Sequence, residues 1–128
     1  MLELHGNLQR VKCSACGEQA TAWDESGPDV PQCSWCGGLL RPDVVWFGEM
    51  LPFEALRAAD EALESCDLFL SIGTSSVVQP AASFIQIAAQ NGATTVEINP
   101  EPTPISRLVD FSVRGKAGEV LPRLVDAR

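Results

Sequence analysis

The sequence predicts an α/β fold: part of a doubly wound parallel sheet with a small four-cysteine module. Three observations predict it. Residues 1–41 are rich in Cys, Gly, Pro and polar side chains and lack a helical period, whereas residues 42–128 alternate β-favouring runs with helical stripes. Two Cys-x-x-Cys pairs stand 16 residues apart. The strand-like Asp67–Ile72 run is almost wholly apolar, the pattern of a strand with helices on both faces.

The first stretch offers short strands at Leu8–Val11 and Gln19–Ala22. Val44-Val45-Trp46-Phe47 is β-favouring and stops at Gly48. Pro52 suits the first position of a helix whose stripe is Leu56, Ala59, Leu63 and Cys66. The Asp67–Ile72 strand ends at Gly73. Pro80 opens a second helix with Ala81, Phe84, Ile85 and Ala88 inward, closed by Gly92. Thr94–Ile98 is the next strand, and Pro100, Pro102 and Pro104 forbid regular structure up to Arg107. Phe111–Arg114 reads as a last strand. Glu119–Ala127 reads as a last helix, with Pro122 tolerated in its first turn. Three parallel strands make half of a doubly wound sheet.

Length and composition set outer bounds. The 128 residues, 45% hydrophobic and 20% charged, suit one globular domain and argue against disorder. No apolar run reaches the ~18 residues of a membrane span. The start carries no basic segment followed by an apolar core, so an intracellular, cytoplasmic location and no membrane partner are expected. The formal net charge of −8 opposes direct binding to nucleic acid, which favours a basic face.

Cys13, Cys16, Cys33 and Cys36 have the spacing of a structural zinc site. Two sulfurs three residues apart grip one ion from a tight knuckle, and two knuckles complete a tetrahedron. Gly17 and Gly37 follow the two pairs. The competing readings are two disulfides, four free thiols, or a single iron. Four thiolates leave no open ligand position, so a bound metal is expected to be structural. Cys66 reads as a small buried hydrophobe.

Gly73-Thr74-Ser75-Ser76 follows a strand and precedes a helix, which is where open α/β sheets bind ligands. The same residues also read as a plain turn with an N-cap. Glu97-Ile98-Asn99 ends the next strand and is expected to place a carboxylate and an amide at the same rim. A Gly-x-Gly-x-x-Gly turn is absent from these residues. His5 is the only histidine. It reads either as structural or as a proton carrier near neutral pH.

In chain order, Glu3-Leu4-His5-Gly6, the two Cys pairs, Leu40-Arg41-Pro42-Asp43-Val44-Val45-Trp46-Phe47-Gly48-Glu49, Ile72-Gly73-Thr74-Ser75-Ser76-Val77-Val78 and Ile98-Asn99-Pro100 resemble the sirtuins, the NAD-dependent protein-lysine deacylases. The Val-Val-Trp-Phe-Gly-Glu form looks most like the bacterial and mitochondrial desuccinylase/deacetylase branch. The resemblance implies NAD as co-substrate, structural zinc, and acyl-lysine peptides as partners. It makes His5 the general base and Cys13, Cys16, Cys33 and Cys36 the zinc ligands. It gives Val45, Phe47, Gly48 and Glu49 to a loop that pairs with the substrate peptide as an added strand. Val77 becomes the opposite wall of that groove. Gly73, Thr74 and Ser75 become ribose contacts. Asn99, Pro100, Glu101 and Ala117 become the adenosine side.

The implied organisation is a zinc-binding module at 8–41, with 1–7 and 42–128 forming the C-terminal part of a Rossmann-like NAD-binding domain. The family's Gly-Ala-Gly-x-Ser pyrophosphate loop and its Gln-Asn-Ile-Asp-type nicotinamide segment lie before the histidine and have no counterpart in these residues. Negligible turnover by the 128 residues alone is therefore expected. Two other readings are a noncatalytic zinc-containing module that binds acyl-peptides or proteins, and a poorly folded piece with an open sheet edge.

Overall fold

The computed structural model describes residues 1–23, 26 and 29–126. The chain divides into two compact units, Met1–Ala58 and Ala59–Arg128. Among the described residues, no helix is long and apolar enough to cross a membrane.

The first unit is built on an antiparallel sheet in the order β2-β1-β3, from β1 (Gly6–Cys13), β2 (Gln19–Ala20) and β3 (Leu40–Val44). β1 carries the ladder. Gly6 pairs with Val44 at one end and Cys13 with Leu40 at the other. The register slips between Asn7 and Val11, so Leu8, Gln9 and Arg10 bulge away from β3. Pro42 is tolerable because β3 is an edge strand. Cys13, Cys33 and Leu40 form the small core, with Val11, Ala20 and Trp23 packed against it.

One expectation needs correcting here. The strand expected at Val44–Phe47 lies at Leu40–Val44, and Trp46–Glu49 is a turn closed by the Glu49 N–H on the Trp46 carbonyl at 3.0 Å. Gly48, at φ +88°, holds the third position of that turn, where a positive φ favours glycine.

α1 (Phe53–Ser65) begins in the first unit and ends in the second. Pro52 sits just before it and its carbonyl accepts the Leu56 N–H at 3.1 Å. Ala59 and Leu63 are buried, and Leu56 and Cys66 half-buried, on the expected stripe.

The second unit is a parallel sheet in the order β4-β5-β6: β4 (Leu68–Ile72), β5 (Thr94–Asn99) and β6 (Phe111–Arg114). A short 3₁₀ turn (Ala81–Ser83) leads into α2 (Phe84–Gln90), whose Ile85 and Ala88 are buried. Leu63, Ala88 and Ala93 form the core, with Cys66, Phe69, Phe84 and Ile87 around it. Cys66 is thus packed among apolar side chains, as expected.

β4 is not covered on both faces. Leu68 is 52% and Leu70 41% exposed, and Phe111 on β6 is 59% exposed. Strand alternation and the register put all three on the face opposite Phe69, Thr95 and Glu97. α3 (Ala117–Asp126) starts earlier than expected, which moves Pro122 out of the first turn and into the helix. Its ring removes the bond that an N–H there would give the Gly118 carbonyl. The expected helix end at Ala127 lies outside the described residues.

Candidate functional site

The four clustered cysteines are brought together as their spacing predicts. Their sulfurs all lie within 4.8 Å of one another. Cys13 Sγ is 3.5 Å from Cys36 Sγ, and Cys16 Sγ is 3.9 Å from Cys33 Sγ. A tetrahedral ion with Zn–S bonds of ~2.3 Å sets its sulfurs about 3.8 Å apart. The cysteines are free, not disulfide-linked. Each pair is a near copy of the other. The Gly17 N–H donates to the Cys13 carbonyl at 3.1 Å and the Gly37 N–H to the Cys33 carbonyl at 2.9 Å. The two glycines have φ of +76° and +74°. The Ala15 and Gly38 N–H groups point at Cys13 and Cys36 Sγ, each at 3.4 Å.

The electrostatics also fit a cation. Backbone N–H groups of Cys16 and Ala15 pull the Cys13 thiol down to about 6. The Glu18 N–H favours the Cys16 thiolate, but Cys36, burial, Cys13 and Cys33 together push it up to about 12. Four sulfurs this close cannot all ionise without a positive charge among them. The donor set and geometry therefore fit one structural zinc ion.

His5 stands at the start of β1 with an exposed side chain. Its carbonyl accepts the Val45 N–H at 3.0 Å, which ties the histidine to the loop after β3. Beside it runs a charged network. Arg10 donates to Glu3 at 2.5 Å and to Asp43 at 3.2 Å, and Lys12 meets Asp43 at 3.0 Å. These cations hold the Glu3 and Asp43 carboxyls below their usual range.

In the loop, the Phe47 side chain is fully exposed at the tip of the turn. The Val45 carbonyl and both backbone groups of Phe47 carry no hydrogen bond among the described residues. Glu49 faces inward to the turn. Its carboxylate takes Arg41 Nη2 at 2.7 and 2.9 Å and the Trp46 N–H at 3.1 Å. Val77 belongs to the second unit, where it is 60% exposed.

In the second unit, the residues expected to contact NAD converge at the carboxyl ends of the three parallel strands. Asn99 Nδ2 donates to the Thr74 carbonyl at 2.7 Å, joining the loops after β4 and β5. The Gly115 N–H lies 3.4 Å from the Asn99 carbonyl and brings in the segment leading to Ala117. Asn99 Oδ1 accepts the Glu101 N–H at 3.4 Å. Ser75 lies between Thr74 and Ser76, whose N–H meets Thr74 Oγ1 at 3.2 Å. Apart from Gly73 and its two chain neighbours, no described atom lies within 4 Å of where a Gly73 Cβ would stand, so a ligand has room to approach this backbone.

The rim carboxylate expected from Glu97 is corrected. Glu97 is 1% exposed and points into the fold. It accepts from Thr103 Oγ1, from Ser106 Oγ at 2.6 Å and from Ser112 Oγ at 2.8 Å, with Arg114 at 3.3 Å. Burial raises this carboxyl, but Ser106, Thr103, Ser112 and the Arg114 charge outweigh it and hold it below the usual range. Arg114 also donates to the Glu101 carbonyl at 2.8 Å. Glu97 therefore positions the rim without taking part in it.

Sequence reasoning assigned no role to Arg41, Gly38 or Arg114. The signal for Arg41 was present: a cation, an aromatic and an acid at 41, 46 and 49 in one loop.

Comparison with known proteins places this geometry. The model of the Sir2 family matches residues 1–80. The NAD-dependent protein deacylase 2 of Pyrobaculum aerophilum is 52% identical over 127 residues, covering 98% of this chain and 51% of that protein. The crystal structure of a Sir2 homolog–NAD complex superposes with a TM-score of 0.92 at 46% identity, covering 98% of this chain and 50% of that one. A structure of Sir2Tm bound to a propionylated peptide gives 0.88 at 34% identity, covering 98% and 55%. The chain spans about half the length of the curated relatives it matches.

Proposed function

The chain belongs to the Sir2 family, and from that premise we propose that it supplies the zinc module, general base and ribose and adenosine contacts of an NAD-dependent protein-lysine deacylase. The observation that carries the reading is the convergence of the Gly73–Ser75, Asn99–Glu101 and Gly115–Ala117 segments at the strand ends. That is the ligand rim of an open parallel sheet. The acyl group removed is of the acetyl or succinyl type. The partners are acyl-lysine peptides, with neither membrane nor nucleic acid involved, and the work is cytoplasmic.

NAD, when bound, supplies the ribose carbon that takes the acyl oxygen as nicotinamide leaves. Gly73, Thr74, Ser75, Asn99, Pro100, Glu101 and Ala117 hold its ribose and adenosine parts. His5 takes a proton from a ribose hydroxyl, and its exposed ring suits that task. Val45, Phe47, Gly48 and Glu49 receive the peptide. The Val45 carbonyl and Phe47 backbone groups, which carry no hydrogen bond among the described residues, support pairing with an extended strand. Cys13, Cys16, Cys33 and Cys36 hold zinc, which fixes the fold and takes no part in bond-making.

The test is a graft. Put in place of the matching half of the Pyrobaculum relative, this chain gives a protein that releases nicotinamide from NAD with an acetyl- or succinyl-lysine peptide. His5→Ala abolishes the release. A folded, NAD-binding graft that releases none overturns the reading. The 128 residues alone show negligible release, because a base without a positioned substrate contributes little.

A second reading is a noncatalytic zinc-containing module that binds acyl-peptides or proteins, supported by the four-cysteine cluster and by the Val45 carbonyl and Phe47 backbone groups that carry no hydrogen bond among the described residues. Calorimetry separates the two, since peptide binding to the chain that NAD leaves unchanged supports the module.

A further inference from the structure

Arg41 sits on β3, four residues before the peptide loop, and contacts both the end of its own strand and that loop. Its Nη1 donates to the Val44 carbonyl at 3.3 Å. Its Nη2 donates to both oxygens of Glu49, at 2.7 and 2.9 Å. Its guanidinium carbon lies 4.3 Å from the centre of the Trp46 ring. Through Glu49 it also holds the Trp46 N–H, which meets the same carboxylate at 3.1 Å. The Arg41 side chain is only 14% exposed, so it works in a partly dry setting where such contacts are least screened.

We infer that Arg41 is a positioning residue that locks the Val45–Glu49 turn in the shape that receives a peptide strand. The lock uses up particular groups and spares others. The Trp46 N–H and carbonyl are satisfied within the turn, and the Val45 N–H by His5. The Val45 carbonyl and the Phe47 backbone groups carry no hydrogen bond among the described residues, and these are groups an added strand can use. An unlocked loop would have to be ordered at the moment of binding, at the expense of affinity. Lysine cannot replace arginine here. A point charge can meet Glu49, but it cannot also reach the Val44 carbonyl and lie flat over Trp46.

This inference rests on the peptide-binding reading of the loop, so its experiment separates the two. Arg41→Lys is made in the zinc-loaded chain, and amide hydrogen exchange at Trp46 and Glu49 is followed by NMR. Affinity for an acetyl-lysine peptide is measured by calorimetry. Exchange at both amides is expected to quicken about tenfold and peptide affinity to fall about tenfold, the worth of one charge-assisted contact. Zinc affinity and the thermal midpoint stay unchanged, which a merely structural role would not allow. Glu49→Gln produces the same change, and the double variant adds little to either alone. Unchanged exchange overturns the lock. Faster exchange with unaltered peptide affinity overturns the positioning role. If the unsubstituted chain binds no peptide, the peptide reading itself fails, and the lock is decided by exchange alone.

Discussion

Replacing Gly38 by alanine is expected to weaken zinc binding through crowding alone. A Cβ built on Gly38 would meet Ala15 Cβ at 2.8 Å, Cys13 Sγ at 2.9 Å and Cys36 Sγ at 3.3 Å. Ordinary contact between carbons is about 3.5–4.0 Å, so the first gap is short by roughly an ångström. None of the three neighbours yields easily. Two are sulfurs of the four-cysteine cluster, and the third is the methyl at the heart of the other knuckle. Relief requires the two knuckles to part, which lengthens metal–sulfur bonds. Overpacking of this kind costs about 1–3 kcal/mol. At about 1.4 kcal/mol per decade, that is a roughly 5- to 150-fold loss of affinity. Competition against a chromophoric chelator at pH 7 measures it. Gly37 provides the contrast: its φ is +74°, but nothing lies within 4 Å of a Cβ there. Gly37→Asn, which tolerates that backbone, should fall within about threefold of the original. A Gly38→Ala variant equally close to the original would refute the crowding argument.

Other outcomes follow from the same geometry. Gly6→Ala would set a methyl 2.0 Å from the Asp43 carbonyl oxygen at a φ of +76°, so the β1–β3 pairing should fail by more than about 3 kcal/mol, read by denaturant unfolding. Chelating the metal should shift tryptophan emission to the red, because Trp23 packs against the small core that contains Cys13, Cys33 and Leu40. All three tryptophans lie in the first unit, so this signal isolates it, and the β4-β5-β6 sheet should keep its circular dichroism. Glu97→Gln should destabilise the second unit by about 2 kcal/mol, as expected for hydrogen bonds to a charged group. The folded Glu97 carboxyl is held below its usual value, so its contribution is complete above the unfolded pKa near 4.5 and is lost as pH falls through the lower folded value. Thermal midpoints from pH 6 to 3 should therefore converge between the original and Glu97→Gln as acidity rises. A constant gap would refute that account.

What could be read from the sequence had its determinants close together in the chain. The Cys pairs encode their own knuckles, and Leu56, Ala59, Leu63 and Cys66 encode one helix face by spacing alone. Val44–Phe47 misleads because its residues favour a strand individually. The turn is decided by Arg41 meeting Glu49 eight residues on, a contact that no local propensity reports. Glu97 misleads for a similar reason. Its strand end was legible, but its direction depends on hydroxyls at 103, 106 and 112, which the topology alone brings near. The exposed Leu68 and Leu70 show the limit of composition. An apolar strand declares that both faces are suited to burial, and the fold of this chain buries one of them.

β1 begins one residue after His5 and ends on Cys13. One strand therefore runs from the four-cysteine cluster to the histidine, held at its near end by the Gly6–Val44 pair and the His5–Val45 bond; a zinc ion in the cluster would pin its far end. The ion serves as a benchmark in the surveyor's sense, a fixed height from which a distant point is levelled. When the benchmark is removed, the strand loses its anchor and the imidazole drifts with it. On the role proposed for His5, metal depletion would then register as lost proton transfer.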